Sequence, residues 1–300
     1  MTINLQQVIN SSAGVRLASL LGQVLPVRLG YTLGSLIAWG IAQRANSGIV
    51  RAVRANQWVV RGENISAQEL DLAVREVFRH AARVTFDLYH HIHNPISARH
   101  IIHPDEITCN LLTRPEFDQH GLVVVGLHLS GFDLVLQSLV AQGMKPLVLT
   151  ISNPQGGRKL EYDIRKRTGM NLLPASLKTI RMALQHLEKG GFVATGIDRP
   201  LPDPRHYPKF FGRPAPLPTH HIFLASKAQV PVIVMVPRWL PDGTYQVLTS
   251  EPIEMDRYPD REMGAILNAQ KVLSIAEGYI RQSPEQWLMT IPVWPDVEIS

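Results

Sequence analysis

From Gly121 onward, short runs of β-branched and aliphatic residues alternate with segments of helical period. The runs are LVVVGL, PLVLTI, FVATGI and VPVIVMVP, and among them stand DLVLQSLVAQG, KLEYDIRKRTG, SLKTIRMALQHLEKGG and PTHHIFLASKAQ. Runs that are apolar on both faces predict strands buried on both sides, and the alternation predicts helices as the cover. The expectation is an α/β fold, with a mixed, mostly parallel central sheet flanked by helices. Upstream, SAQELDLAVREVFRHAARVTFDLYHH has the period of a long helix, and Ser66 with Glu69 three places on predicts a capping box at its start. The connection from Asp198 to Pro218, DRPLPDPRHYPKFFGRPAPLP, carries too much proline for regular structure, and long irregular connections in compact domains tend to be functional.

The first 62 residues have a different texture. The stretch LASLLGQVLPVRLGYTLGSLIAWGIA, from Leu17 to Ala42, is long enough to cross a bilayer, but Pro26 and Arg28 interrupt it and polar residues dilute it. Leu17, Leu20, Leu21, Val24 and Val27 recur at helical spacing. Charge sharpens the picture: before Glu63 there is no acid and no lysine, only Arg16, Arg28, Arg44, Arg51, Arg54 and Arg61. Two readings fit, a helix pair lying on an anionic membrane surface and an ordinary hairpin packed on the core. The polar opening MTINLQQVINSS lacks the form of a secretory signal. Residues 1–62 are thus expected to form a basic, apolar, helical, membrane-associating segment, and residues 63–300 the α/β domain, the two acting as one functional unit.

The composition of the 300 residues, 45% hydrophobic with a formal net charge of +5, supports a sizeable core and an anionic partner. One cysteine, Cys109, excludes an internal disulfide and a cysteine-based zinc site, which suits a reducing compartment.

The chemistry concentrates in GLVVVGLHLSGFDLVLQSL, where a strand delivers His128 to the mouth of an apolar helix, with Asp133 five positions later. One reading is local: Ser130 as N-cap, Asp133 completing a capping box, and His128 a satisfied histidine at a strand end. The other places an imidazole at the carboxyl edge of a sheet, the usual position of α/β active sites, with the Asp133 carboxylate in reach to orient it. The two meet only if His128 precedes the helix and Asp133 lies in its first turn.

The motif His128-Leu-Ser-Gly-Phe-Asp133 resembles the H-x4-D/E motif of the lysophospholipid acyltransferase superfamily. Further blocks, IRKRTGMNLLP, LEKGGFVATGIDRP, FFGRPAPLPTHHIFLASKAQVPVIVMVPRWLPDGTYQV and SPEQWLMTIPVW, stand in the order seen in lipid A biosynthesis late acyltransferases and phosphatidylinositol mannoside acyltransferases. The resemblance implies transfer of a fatty acyl group from a thioester, carried by acyl carrier protein or coenzyme A, to a hydroxyl of a membrane glycolipid or lysophospholipid. It implies His128 as general base and Asp133 as the group orienting it. Arg165, with Arg167 close by, matches the family's arginine block, where a guanidinium holds a phosphate or the developing oxyanion. Asp198, beside Arg199, matches the acid after the strand FVATGI, and a loop acid paired with that arginine remains an alternative. No cofactor is implied beyond the acyl-CoA or acyl carrier protein co-substrate, and the implied location is the cytoplasmic face of the membrane, peripheral or monotopic. Where broader glycerolipid acyltransferases carry a Pro-Glu-Gly type block this chain has GIDRPLPD, which favours the lipid A and mannoside branch.

Competing readings remain. Ser130, His128 and Asp133 could form a serine esterase or thioesterase, although LHLSGF lacks the first glycine of the G-x-S-x-G elbow. A non-catalytic basic membrane-binding protein is the other. His90, His91, His93, His100 and His103 cluster without a cysteine, and no metal is expected there. The turn NPQGGRK lacks P-loop spacing, and no nucleic-acid motif is present.

Overall fold

The computed structural model describes residues 12–115, 120–150, 157–174 and 176–299. Most of the turn at 153–159 and the polar opening at 1–11 lie outside the described residues. Helices α1 (Ser12–Val24), α2 (Val27–Ala42), α3 (Gly48–Val60) and α4 (Ala67–His91) come first. Strand β1 (Ile102–Pro104), α5 (Glu106–Thr113), β2 (Leu122–Gly126), α6 (Phe132–Ala141), β3 (Leu147–Thr150), α7 (Gly157–Arg167), β4 (Asn171–Pro174), α8 (Leu177–Glu188) and β5 (Phe192–Gly196) follow. The chain then forms β6 (Lys209–Phe210), β7 (Arg213–Pro214), α9 (His220–Ala228), β8 (Val232–Trp239), β9 (Tyr245–Thr249) and α10 (Arg261–Gln282).

Among the described residues seven strands build one sheet in the order β1-β9-β8-β2-β5-β3-β4, parallel throughout except where β9 runs against β8. This is the mixed, mostly parallel α/β architecture that the apolar runs predict. The central strands are covered on both faces because side chains alternate. Val123 and Val125 of β2 face a core shared with α3, α8, α9 and α10, whereas Leu122 and Val124 face one shared with α4 and α6. After β5 the chain crosses to the other side of β2, so the carboxyl ends of β2 and β5 flank the reversal of strand order where α/β sheets bind ligands.

Short or polar elements escaped the periodicity. Strands β1 and β4 are short, and β9, which alternates buried Tyr245 and Val247 with more open positions, runs antiparallel to β8. The proline-rich connection is irregular apart from the two-residue strands β6 and β7 around Phe211 and Gly212. The capping box forms as expected, with the Glu69 backbone donating to Ser66 Oγ and the Glu69 carboxylate accepting from the Ser66 N–H.

The N-terminal hairpin has a packed side and an open side. It packs on α4 through its small residues: a Cβ on Gly30 would lie 2.0 Å from the Phe86 ring, and one on Gly22 would lie 2.7 Å from Tyr89 Cβ. Its long apolar side chains point away, leaving Leu17, Leu20, Val24, Leu29, Leu36, Ile37 and Trp39 more than half exposed. Among the described residues no helix is long and apolar enough to cross a membrane. Helix α3, on the N-terminal side of the boundary expected at 62/63, packs on the sheet: Ala55, Val59 and Val60 enter the same core as Val123 and Val125. The Asn56 amide donates to the Met289 and Ile291 carbonyls and accepts from the Val293 N–H.

Candidate active site

Two glycines end the central strands at one level. Gly126 of β2 pairs with Gly196 of β5, and each is followed by a buried aliphatic residue, Leu127 or Ile197, and then by His128 or Asp198. Equal offsets on neighbouring parallel strands lie side by side, so the imidazole and this carboxylate meet at the carboxyl edge of the sheet. His128 Nδ1 is 2.8 Å from Asp198 Oδ1, and the His128 backbone N–H donates to Asp198 Oδ2 at 2.8 Å. The indole N–H of Trp287 donates to the same Oδ2, also at 2.8 Å.

Asp198 is fully buried. Burial alone would raise its carboxyl, but the His128 ring, the Trp287 indole and the His128 N–H outweigh it and hold the group below its ordinary value. An ionised carboxylate only accepts, so the hydrogen sits on Nδ1 and the Nε2 lone pair is left as the basic site. The His128 side chain keeps 28% of its surface open, with the Phe132 ring against it at 5.0 Å between centroids. Its backbone is also fixed, because the Leu288 N–H donates to the His128 carbonyl at 2.8 Å and Leu129 bridges to Trp287.

Asp133, expected at the imidazole, is engaged elsewhere. Helix α6 begins at Phe132, and in its first turn Asp133 receives the Arg165 Nε at 2.9 and 3.1 Å and the Gln137 amide at 3.0 Å. The carboxylate that orients His128 is therefore that of Asp198. Arg165, expected on a phosphate or oxyanion, holds Asp133 instead; burial works against its charge, but Asp133 and Glu161 more than offset that and raise its pKa. Arg167 is exposed at the end of α7, and Arg199 is partly exposed beside Asp198.

Ser130 is not the helix cap that its sequence position suggests. Gly131 is the N-cap and makes no side-chain cap bond, while Ser130 takes a left-handed backbone at φ 46°. A non-glycine residue in that region needs tertiary support, and here its N–H donates to the Gln286 carbonyl at 2.7 Å. Its buried hydroxyl lies 3.2 Å from His80 Nε2. Trp287 and His80 were not anticipated. The repeated tripeptide pattern, Gly-Leu-His after β2 and Gly-Ile-Asp after β5, is the signal from which the His128 and Asp198 pairing could have been read.

Among the described residues no group of three or more His, Cys, Asp and Glu side chains is placed to hold a metal ion. Within the histidine cluster, His90 Nδ1 lies 2.7 Å from the Gly22 carbonyl and His91 Nδ1 lies 2.8 Å from Ser97 Oγ.

Four histidines held below their ordinary value, His80, His91, His220 and His221, weaken the fold in acid. Burial, with the Arg83 and Arg79 charges, pushes His80 down to about 3, and burial pushes His220, whose Nε2 lies 2.8 Å from Thr195 Oγ1, down to about 4. The unfolded chain binds protons on these groups below pH of about 6.5 that the folded chain refuses. Their contribution is complete above that value and is lost as pH falls toward 4 and then 3, by up to about 1.4 kcal/mol per pH unit for each group. The urea midpoint is expected to fall steadily between pH 6.5 and 4, and more shallowly in His80→Gln. An unchanged midpoint across that range would contradict this.

An open imidazole on a buried, ionised carboxylate, at the carboxyl edge of a mostly parallel sheet, has the form of an α/β enzyme that moves a proton. The family model of the bacterial lipid A biosynthesis acyltransferases matches residues 4–295, and the chain belongs to that family. It is an O-acyltransferase of lipid biosynthesis, and such enzymes need no cofactor beyond the acyl donor. No curated protein matches the chain.

Proposed function

We propose that the protein transfers a fatty acyl group from a thioester, on acyl carrier protein or coenzyme A, to a hydroxyl of a membrane glycolipid, with His128 as general base. The observation that carries this reading is the His128 and Asp198 pair. Nε2 accepts the proton of the attacking hydroxyl while its oxygen bonds to the thioester carbonyl carbon. Collapse of the tetrahedral intermediate breaks the C–S bond, and the imidazolium returns the proton to the departing sulfur, leaving an ester and a thiol. Asp198 holds the tautomer and stabilises the imidazolium. Arg167 and Arg199 are proposed to meet substrate anions, and Asp133 with Arg165 to hold the wall of the site.

The test is incubation of the purified protein with a labelled acyl thioester and a membrane lipid extract. Label is expected in a base-labile lipid ester, with none trapped on protein. Ser130→Ala distinguishes transferase from serine hydrolase: it is expected to keep near wild-type turnover and lose about 1 kcal/mol of stability with the His80 hydrogen bond. A trapped acyl-Ser130, or a folded but inactive Ser130→Ala, would favour the hydrolase.

We further propose that the hairpin of α1 and α2 docks at the cytoplasmic face of the membrane. Its outward leucines and Trp39 form an apolar surface flanked by Arg16, Arg28 and Arg44, and each basic group near an anionic surface adds about 1 kcal/mol before screening. Replacing Leu20, Leu36 and Trp39 together by glutamine is expected to abolish sedimentation with anionic vesicles and to leave the thermal midpoint unchanged, because all three side chains are more than half exposed. Undiminished vesicle binding would place the contact elsewhere. Deletion through Gly62 is a poorer test, since it strips the Asn56 bonds and exposes core.

A further inference from the structure

Helices α8 and α9 lie side by side and cover the face of the sheet opposite to α4 and its hairpin. Both run from the carboxyl edge, where His128 sits, toward the amino edge: α8 leads from β4 into β5, and the His220 contact with Thr195 pins the start of α9 near the end of β5. Their outer surface is unusual in two respects. Leu177 is 86% exposed, Phe223 52% and Met182 39%, all in the halves of the helices nearest the active edge. Exposed Lys178 and Arg181 stand beside them and exposed Lys189 and Lys227 at the far ends of the helices, against one exposed acid on the two helices, Glu188. Elsewhere Arg54 pairs with Asp71 and Arg213 with Glu63, but among the described residues none of these four cations has a carboxylate within 4.0 Å.

We infer that the α8 and α9 surface is the docking site of an acidic carrier protein that presents the acyl thioester to His128. This rests on the thioester reading above and concerns how the donor arrives. Apolar side chains beside the unpaired cations Lys178 and Arg181 have the makings of a protein interface, and their charge complements an acidic helix. The surface is formed by the convex sides of two helices, whereas a nucleotide would need a concave site with convergent polar groups. It also faces away from the hairpin, so a carrier can sit there while the hairpin lies on lipid. Leu177, Lys178 and Arg181 stand at the end nearest the active edge, so an arm carrying the thioester has only to turn over the carboxyl ends of β3 and β5 to reach His128.

Two donors separate docking from chemistry, a bacterial acyl carrier protein loaded with a dodecanoyl chain and dodecanoyl-pantetheine. Lys178→Glu with Arg181→Glu is expected to raise KM for the carrier-bound donor roughly tenfold or more and to weaken anisotropy-measured binding of the labelled carrier in parallel, with wild-type binding itself falling as NaCl is raised. Transfer from dodecanoyl-pantetheine is expected to stay within about twofold of wild type, since neither side chain touches the site. Phe223→Glu is expected to act in the same donor-selective way. An unchanged carrier KM overturns the inference, as does an equal loss with both donors. Loss of vesicle binding with carrier binding intact would assign the surface to the membrane instead. Failure of the wild type to use even dodecanoyl-pantetheine would overturn the thioester reading itself, a result distinct from any of these.

Discussion

Asp198→Asn is expected to lower turnover by about 10²–10⁴-fold, nearly as much as His128→Ala, without unfolding the protein. The reason lies in which oxygen receives which donor. Two N–H groups, from the His128 backbone and the Trp287 indole, converge on Oδ2, while Oδ1 faces the imidazole. An asparagine in this place keeps its carbonyl oxygen at the doubly bonded position and so turns its NH₂ toward Nδ1. That nitrogen must then accept, the ring proton moves to Nε2, and the lone pair needed for the attacking hydroxyl is lost. Residues that act as a unit are non-additive, so His128→Ala with Asp198→Asn together should be little worse than the more damaging single change. The measurements are kcat with a fixed thioester donor and the thermal midpoint of each variant. Asp198→Asn with turnover near wild type would remove Asp198 from the mechanism.

The sequence made the strands around this pair legible because each is apolar on both faces, which only a covered central sheet can satisfy. His128 was legible for a local reason, its place between a strand and a helix. Its partner was not, because a sequence motif offers only nearby residues and Asp198 lies 70 positions away. What joins them is the register of β2 on β5, a property of the sheet rather than of either segment. Ser130 failed as a cap on similar grounds: its propensity for the position was real, but the segment 286–288 pulls its backbone into the left-handed region and His80 takes its hydroxyl. The hairpin was ambiguous because its periodicity marks an apolar face without saying what covers it. Only the glycines opposite Tyr89 and Phe86 decide that the small side packs and the leucines face out.

Breaking the Asp133 and Arg165 pair is expected to cost about 2–3 kcal/mol, because either partner alone is left as a largely buried charge, compensated only by Glu161 for Arg165 or by the Gln137 amide for Asp133. Asp133 is 13% and Arg165 24% exposed at the side chain, and Asp133 lies at the start of α6, five residues after His128. If Asp133 served to orient the imidazole, Asp133→Asn would behave like Asp198→Asn, with turnover collapsing and stability little changed. The observed geometry predicts the reverse order. Asp133→Asn and Arg165→Met should each lower the urea midpoint strongly, with a turnover loss well below that of Asp198→Asn at a temperature where the variants remain folded. The double change Asp133→Leu with Arg165→Met should recover much of the stability, since removing both charges leaves no buried ion unpaired. Equal midpoints for wild type and both single variants would show that the pair does not brace the site. A turnover loss in Asp133→Asn as large as that in Asp198→Asn, with the midpoint unchanged, would return the orienting role to Asp133.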